Sequence, residues 1–181
     1  MNLLYKGNYS KRFEHIFPFI SGKNVTEICF GDIAIAGYCR KNGINWAGID
    51  INENFVKNAQ KYGFNASMGN VHTMANFPKG DVCIIAGSLY HFHEDRETLF
   101  MKMLDCGPII IISEPVINLS NNKGIIGKLA KASATINGKK QLFRYTTASL
   151  TAELNLLSRK LNFNYKIIGQ FYKDLIIVIT K

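Results

Sequence analysis

No stretch of this sequence approaches the 18 or more consecutive apolar residues of a membrane-spanning helix, so no membrane partner is expected. No Cys-x-x-Cys pair occurs among Cys29, Cys39, Cys83 and Cys106, and no histidines cluster beside them. That spacing argues against both a metal site and a disulfide framework, and the four read as small reduced core residues. Cys29 differs in lying within the turn Cys29-Phe30-Gly31-Asp32. A secretory leader is not expected either, because Lys6, Lys11, Arg12, Glu14 and His15 interrupt any early apolar run; the expected location is the cytoplasm. Acid is scarce in one region. From Pro115 to Lys173 ten lysines and arginines face a single acid, Glu153, so this segment carries a net charge equal to the +9 of the whole chain. Such a segment draws anionic partners toward the surface, although a solvated lysine face would show the same count.

With 181 residues, 47% of them hydrophobic and 19% charged, the chain has the size and composition of one globular domain, 1–181. Apolar residues Phe13, Ile16, Phe17 and Ile20 are spaced as on a helix and predict an amphipathic lead-in, within a flank or lid over residues 1–22. Strand and helix patterns then alternate without an internal repeat. Strands are expected over Asn24–Ile28, Asn45–Ile51, Phe64–Met68, Val82–Ala86 and Ile109–Ile112. Helices are expected over Ile33–Arg40, capped by Asp32, over Asn54–Tyr62, weakly from Val71 to before Pro78, and over Glu94–Leu104. The rhythm breaks after Glu114-Pro115. Residues 115–146, rich in Asn, Gly and Lys, read as an inserted cap, with a short basic helix expected over Ile125–Ala132. A long helix over Thr147–Leu161 and two strands, Tyr165–Gly169 and Leu175–Ile179, close the chain. Those last two are too near in sequence for a parallel crossover and must pair antiparallel. The expected fold is α/β: a doubly wound, seven-stranded, mostly parallel sheet with a C-terminal antiparallel hairpin.

Residues Val25 to Asp50 hold the pattern closest to chemistry. An apolar strand ends at Glu27-Ile28, a turn Cys29-Phe30-Gly31-Asp32 follows, and a second strand closes on Gly48-Ile49-Asp50. An acid about 20 residues after a tight first turn stands where open α/β folds grip a ribose, since one carboxylate can accept from two hydroxyls. Cys29 is small enough for such a turn if no positive φ is needed there. Asp32 suits a helix N-cap and, as a carboxylate, also suits a cationic ligand group.

The ordered series resembles the class I S-adenosylmethionine-dependent methyltransferases over nearly the whole of Asn24–Lys181. In that family the first strand ends in an acid followed by Gly-x-Gly-x-Gly; the matching stretch is Glu27-Ile28-Cys29-Phe30-Gly31-Asp32-Ile33, in which Gly31 alone of the three glycines is present. The resemblance implies S-adenosylmethionine as cofactor. It assigns Glu27, Cys29, Gly31 and Asp32 to the methionine end, Asp50 and Ile51 to the ribose, Asn70 and Val71 to the adenine side, and Ser88 to the loop after the fourth strand. That loop, Ser88-Leu89-Tyr90-His91-Phe92-His93-Glu94, offers His91 as a general base, a role suited to its near-neutral pKa. Glu114, Arg144 and Tyr145, with Tyr5, Tyr9 and Arg12 from the flank, are candidates for the acceptor side.

The function implied is methyl transfer to an oxygen or nitrogen of a small, anionic acceptor, such as a phosphorylated or nucleotide-linked sugar or a secondary metabolite. An RNA methyltransferase is the alternative with nucleic acid as partner, but Gly87-Ser88-Leu89-Tyr90 stands where many base-methylating enzymes carry Asp/Asn-Pro-Pro-Tyr. A noncatalytic binding or scaffold protein built on the same fold is the reading that Cys29 and Ile33 favour. A nicotinamide oxidoreductase is disfavoured by the missing Gly-x-Gly-x-x-Gly turn.

Overall fold

A computed structural model describes residues 10–117, 135–136, 139–140 and 143–181. Its main sheet contains β1 (Val25–Ile28), β2 (Trp46–Asp50), β3 (Ala66–Met68), β4 (Val82–Ala86), β5 (Ile109–Pro115), β8 (Asn164–Phe171) and β9 (Asp174–Thr180). Their order is β3-β2-β1-β4-β5-β9-β8, and a separate antiparallel pair joins β6 (Thr135–Ile136) to β7 (Lys139–Lys140). The first five strands run parallel. β9 enters antiparallel beside β5 and pairs antiparallel with β8, as the short connection requires. The helices are α1 (Ala34–Lys41), α2 (Glu53–Lys61), α3 (Arg96–Cys106) and α4 (Thr147–Leu161).

Two apolar layers sandwich the sheet. One packs α3 and α4, through Leu99, Phe100, Met103, Leu150, Leu154 and Leu157, on Ile28, Ile85, Ile110, Ile112 and Ile177. The other packs α1, α2 and the N-terminal segment, through Ile35, Cys39, Val56, Phe13 and Ile16, on Val25, Trp46, Ile84, Ile111 and Ile176. Strands covered on both faces read as unbroken apolar runs, which is why β4 and β5 stand out in the sequence. Among the described residues no helix is long and apolar enough to cross a membrane.

Helix ends follow local chemistry. Asn52 caps α2 through Asn54 N–H, and Thr146 and Ser149 form a reciprocal capping box on α4. Four expectations are corrected. The lead-in is two short 3₁₀ turns, Ser10–Phe13 and Phe17–Phe19, with Pro18 inside the second, rather than an α-helix. The helix expected from Val71 is absent; residues 71–73 form a turn anchored by Asn70, whose Oδ1 and carbonyl accept from His72 and Thr73 N–H. α1 starts at Ala34 with Ile33 at the N-cap position, so Asp32, expected as the cap, stands one residue earlier, where its Oδ1 accepts Ala34 N–H at 2.7 Å. β5 runs on to Pro115, because β9 pairs with it residue by residue from Ile109↔Thr180 to Pro115↔Asp174. Tyr5, Tyr9 and the helix expected over Ile125–Ala132 lie outside the described residues.

Candidate functional site

Strand order reverses between β1 and β4, and in open α/β sheets the crevice at the carboxyl end of such a switch point is where ligands bind. Three loops meet there: the turn 29–32 after β1, Gly87–His93 after β4, and the end of β5.

The first turn is held by backbone geometry. Cys29 donates its N–H to the Ile49 carbonyl at 2.7 Å, and Gly31 donates to Asp50 Oδ2 at 3.2 Å. Both Cys29 (φ +54°) and Gly31 (φ +60°) are left-handed. The expectation that Cys29 sits where no positive φ is needed is therefore corrected. It adopts the glycine conformation at a cost of about 1–2 kcal/mol. The space over Gly31 is open, with no heavy atom within 4 Å of where a Cβ would lie.

Asp50 ends β2 and is nearly fully buried. Its Oδ1 accepts Asn52 N–H at 2.8 Å and its Oδ2 accepts from Gly31. A carboxylate has about four acceptor positions, so capacity remains for a hydroxyl donor beside the backbone N–H groups that act on it. Burial raises its pKa, against the lowering effect of those backbone bonds. Ile51 beside it is 53% exposed and offers an apolar surface at the mouth. Asp32 uses Oδ1 on Ala34, while its Oδ2 is buried without a hydrogen-bond partner and thus remains open to a cationic group. The turn therefore fits the methionine end of S-adenosylmethionine, with Cys29 in place of glycine.

The other residues expected on that side divide. Glu27 points into the layer of α1, where it is buried and accepts the Trp46 indole N–H at 2.8 Å. Desolvation pushes its pKa well above the ordinary carboxylate value, so it lies beneath the turn as a partner of Trp46. Val71 is buried in the opposite layer, Asn70 shapes its own turn, and Ser88 begins the 3₁₀ turn Leu89–Phe92.

The acceptor side is built from residues distant in sequence. Arg12 is buried and pairs with Asp174, Nε to Oδ2 at 2.6 Å; Ser113 Oγ donates to the same oxygen at 2.9 Å. Its guanidinium packs on Gly87 (φ +73°), where any Cβ would lie 2.8 Å from Nη2. Arg12, expected on the acceptor side, is placed as a buried strut between Asp174 and the loop after β4. Tyr145 is likewise fully buried and donates its hydroxyl to Glu153 Oε1 at 2.6 Å, with Arg96 on the other Glu153 oxygen at 3.2 Å. Burial and that carboxylate raise the Tyr145 pKa, and its hydroxyl is engaged by Glu153 within the core. Arg144 stacks its guanidinium 3.8 Å over the Tyr90 ring and hydrogen-bonds the Phe143 carbonyl. His91 is half-buried with its ring 3.9 Å from that of Tyr90, and His93 stacks on Phe143 at 4.3 Å. Glu114 is fully buried; its Oε2 accepts Leu89 N–H at 3.0 Å.

Sequence reasoning missed Asp174, Ser113 and the Glu153–Tyr145 pair. An acid opening the apolar run Leu175–Ile179 was the one available signal for Asp174, since a buried carboxylate needs a partner.

The sequence matches no protein-family model and no curated protein. Solved structures do match. The chain superposes on a SAM-dependent methyltransferase from Archaeoglobus fulgidus with a TM-score of 0.64 at 16% identity, covering 95% of this chain and 92% of that one. It superposes on the plantazolicin methyltransferase BpumL, solved with a desmethylplantazolicin analogue and S-adenosylhomocysteine, with a TM-score of 0.70 at 14% identity, covering 100% and 85%. For the magnesium protoporphyrin IX methyltransferase of Synechocystis PCC 6803, solved with bound S-adenosylhomocysteine, the values are 0.67, 15%, 98% and 85%. The fold is that of the class I S-adenosylmethionine-dependent methyltransferases.

Proposed function

We propose that this protein is an S-adenosylmethionine-dependent methyltransferase that acts on an oxygen or nitrogen of a small acceptor. The observation that carries the reading is Asp50, a buried carboxylate at the tip of β2 with acceptor capacity to spare, bonded to Gly31 beneath an open left-handed turn. Solved proteins of the same fold bind S-adenosylhomocysteine, which supports the same cofactor here. When bound, S-adenosylmethionine supplies a methyl group on an already reactive sulfonium, so the chain's residues need mainly to hold and align. Asp50 would hold the ribose hydroxyls, Ile51 would offer an apolar surface to the adenosine, and Asp32 Oδ2 would meet the positive charge. His91 and Ser88 border the reacting end. An anionic group on the acceptor is supported by the basic excess between Pro115 and Lys173 and by Arg144 at the rim. A guanidinium there presents a fork of donors to phosphate or carboxylate.

Calorimetric titration with S-adenosylmethionine and S-adenosylhomocysteine tests the reading. Binding of both is expected, and Asp50→Ala should weaken it by about tenfold or more, the scale of one or two hydrogen bonds to a charged acceptor. No heat and no thermal stabilisation at millimolar ligand would leave a noncatalytic protein on a methyltransferase fold. Unchanged affinity in the variant would move the ribose site elsewhere.

A further inference from the structure

At the end of β5, on the sheet face that carries α3 and α4, Glu114 is 0% exposed. Its Oε2 holds Leu89 N–H, while Oε1 is buried with no hydrogen-bond partner. The other wholly buried acids are engaged by side chains: Glu27 by Trp46, and Asp174 by Arg12 and Ser113. An unmet carboxyl oxygen in an apolar surround is costly, and a native site that retains one has a use for it. This one lies at the carboxyl edge, under the loop carrying Leu89 and Tyr90 and next to the switch point where Asp50 and Asp32 converge.

We propose that Glu114 Oε1 is the receiving group for the acceptor's nucleophile, and that this nucleophile is a neutral N–H or O–H donor. The assignment rests on the methyltransferase reading for the transfer itself. A donor group completes the unmet oxygen once the carboxyl is ionised, which the raised pKa places near and above about pH 8. The surroundings favour a ring-bearing or otherwise apolar carrier, since Leu89 and Tyr90 lie on Glu114 and both belong to the apolar layer of α3 and α4. An anionic group elsewhere on the same acceptor would remain for Arg144.

The proton balance is simple. The nucleophile's lone pair would form the new bond to the methyl carbon as the methyl–sulfur bond breaks with its electron pair left on sulfur. The nucleophile's hydrogen would leave as a proton to the ionised form of Glu114 at Oε1 and return to water when product leaves. Desolvation and nearby Asp174 push the Glu114 pKa up to about 8, against the lowering effects of Leu89 N–H, Arg12 and Tyr90 N–H. The groups acting on it are thus Arg12 from the N-terminal segment, Asp174 from β9, and the Leu89 and Tyr90 backbone; Tyr145, before α4, is within its electrostatic reach. A carboxyl that exchanges its proton near neutrality is matched to such a task.

The test uses the full chain saturated with S-adenosylhomocysteine and two probes of similar shape, phenol, which carries the donor, and toluene, which lacks it. Phenol is expected to bind about tenfold more tightly than toluene and to move the ¹³C resonance of the Glu114 carboxyl. In Glu114→Gln the phenol hydroxyl can only accept, from the amide, so the rise in phenol's preference as pH passes about 8, expected of the wild-type carboxyl, should vanish. The amide oxygen must stay on Leu89 N–H, which turns the NH₂ donor toward the ligand. Equal binding of the two probes to wild-type protein, no phenol binding, or a carboxyl resonance that phenol leaves unmoved overturns the assignment and leaves at most a trapped water on Oε1. The wild-type comparison decides the matter even if the variant folds poorly. Should S-adenosylhomocysteine itself fail to bind, the methyltransferase reading falls, and the same probe comparison without it still judges Glu114.

Discussion

The two halves of the crevice are made in different ways. On the β1–β2 side the site is backbone: left-handed residues at 29 and 31, an N–H from Gly31, and one carboxylate at a strand tip, all within a 26-residue stretch from Val25 to Asp50. On the β4–β5–β9 side it is side chains drawn from across the chain: Arg12, Glu114, Tyr145 and Asp174, each buried and most of them paired. A backbone cradle tolerates substitution as long as its dihedral angles are reached, and Cys29 shows it. A buried polar cluster does not, because each charge there depends on one particular partner.

The comparison can be broken hardest at Asp174. Asp174→Ala takes the carboxylate from a buried guanidinium, and chemical denaturation should show a loss of about 3–5 kcal/mol. A loss below 1 kcal/mol would mean that the cluster is no more demanding than the cradle.

A pH series on Glu114→Gln sharpens the contrast next. The folded protein raises the Glu114 pKa from an ordinary 4.5 to about 8. Folding therefore favours the protonated form: the stability linked to it is fully present below about pH 4.5 and is lost as pH rises toward 8. Glu114→Gln escapes that loss. Its melting temperature relative to wild type should climb between pH 5 and 8, by up to the equivalent of a few kcal/mol, on top of a constant offset from the amide. A flat difference across that range would show that Glu114 is not held protonated.

The smallest effect belongs to the cradle. Cys29→Gly relieves a left-handed non-glycine residue, so stability should rise by about 1 kcal/mol, with the affinity for S-adenosylhomocysteine unchanged or better. A destabilised variant would mean that the Cys29 side chain, packed at the edge of the α3–α4 layer, contributes more than its backbone costs.

Much of the fold was legible because it is written in local patterns. The parallel core strands were recognisable as apolar runs buried on both faces, α4 matches its predicted span from Thr147 to Leu161, and the short link between the last strands forced a hairpin. The N-terminal segment misled because Phe13, Ile16 and Ile20 share a helical spacing, yet Pro18 and tertiary docking bend the chain into 3₁₀ turns that bury all three. The apolar run of β5 stops at Ile112; pairing with β9 carries the strand three residues further and buries Ser113 and Glu114.

The sequence by itself determined the order of elements, the closing hairpin and the position of Asp50 about 20 residues after the turn, since each follows from side-chain periodicity or chain length between neighbours. Only the tertiary structure decided that Cys29 takes a glycine's conformation, that Arg12 is a strut on Asp174, that Tyr145 belongs to the core, and that Glu114 keeps an oxygen unmet. Those outcomes rest on contacts between residues up to 162 positions apart, such as Arg12 with Asp174, and on which faces the folded sheet buries. No local pattern of residues records either.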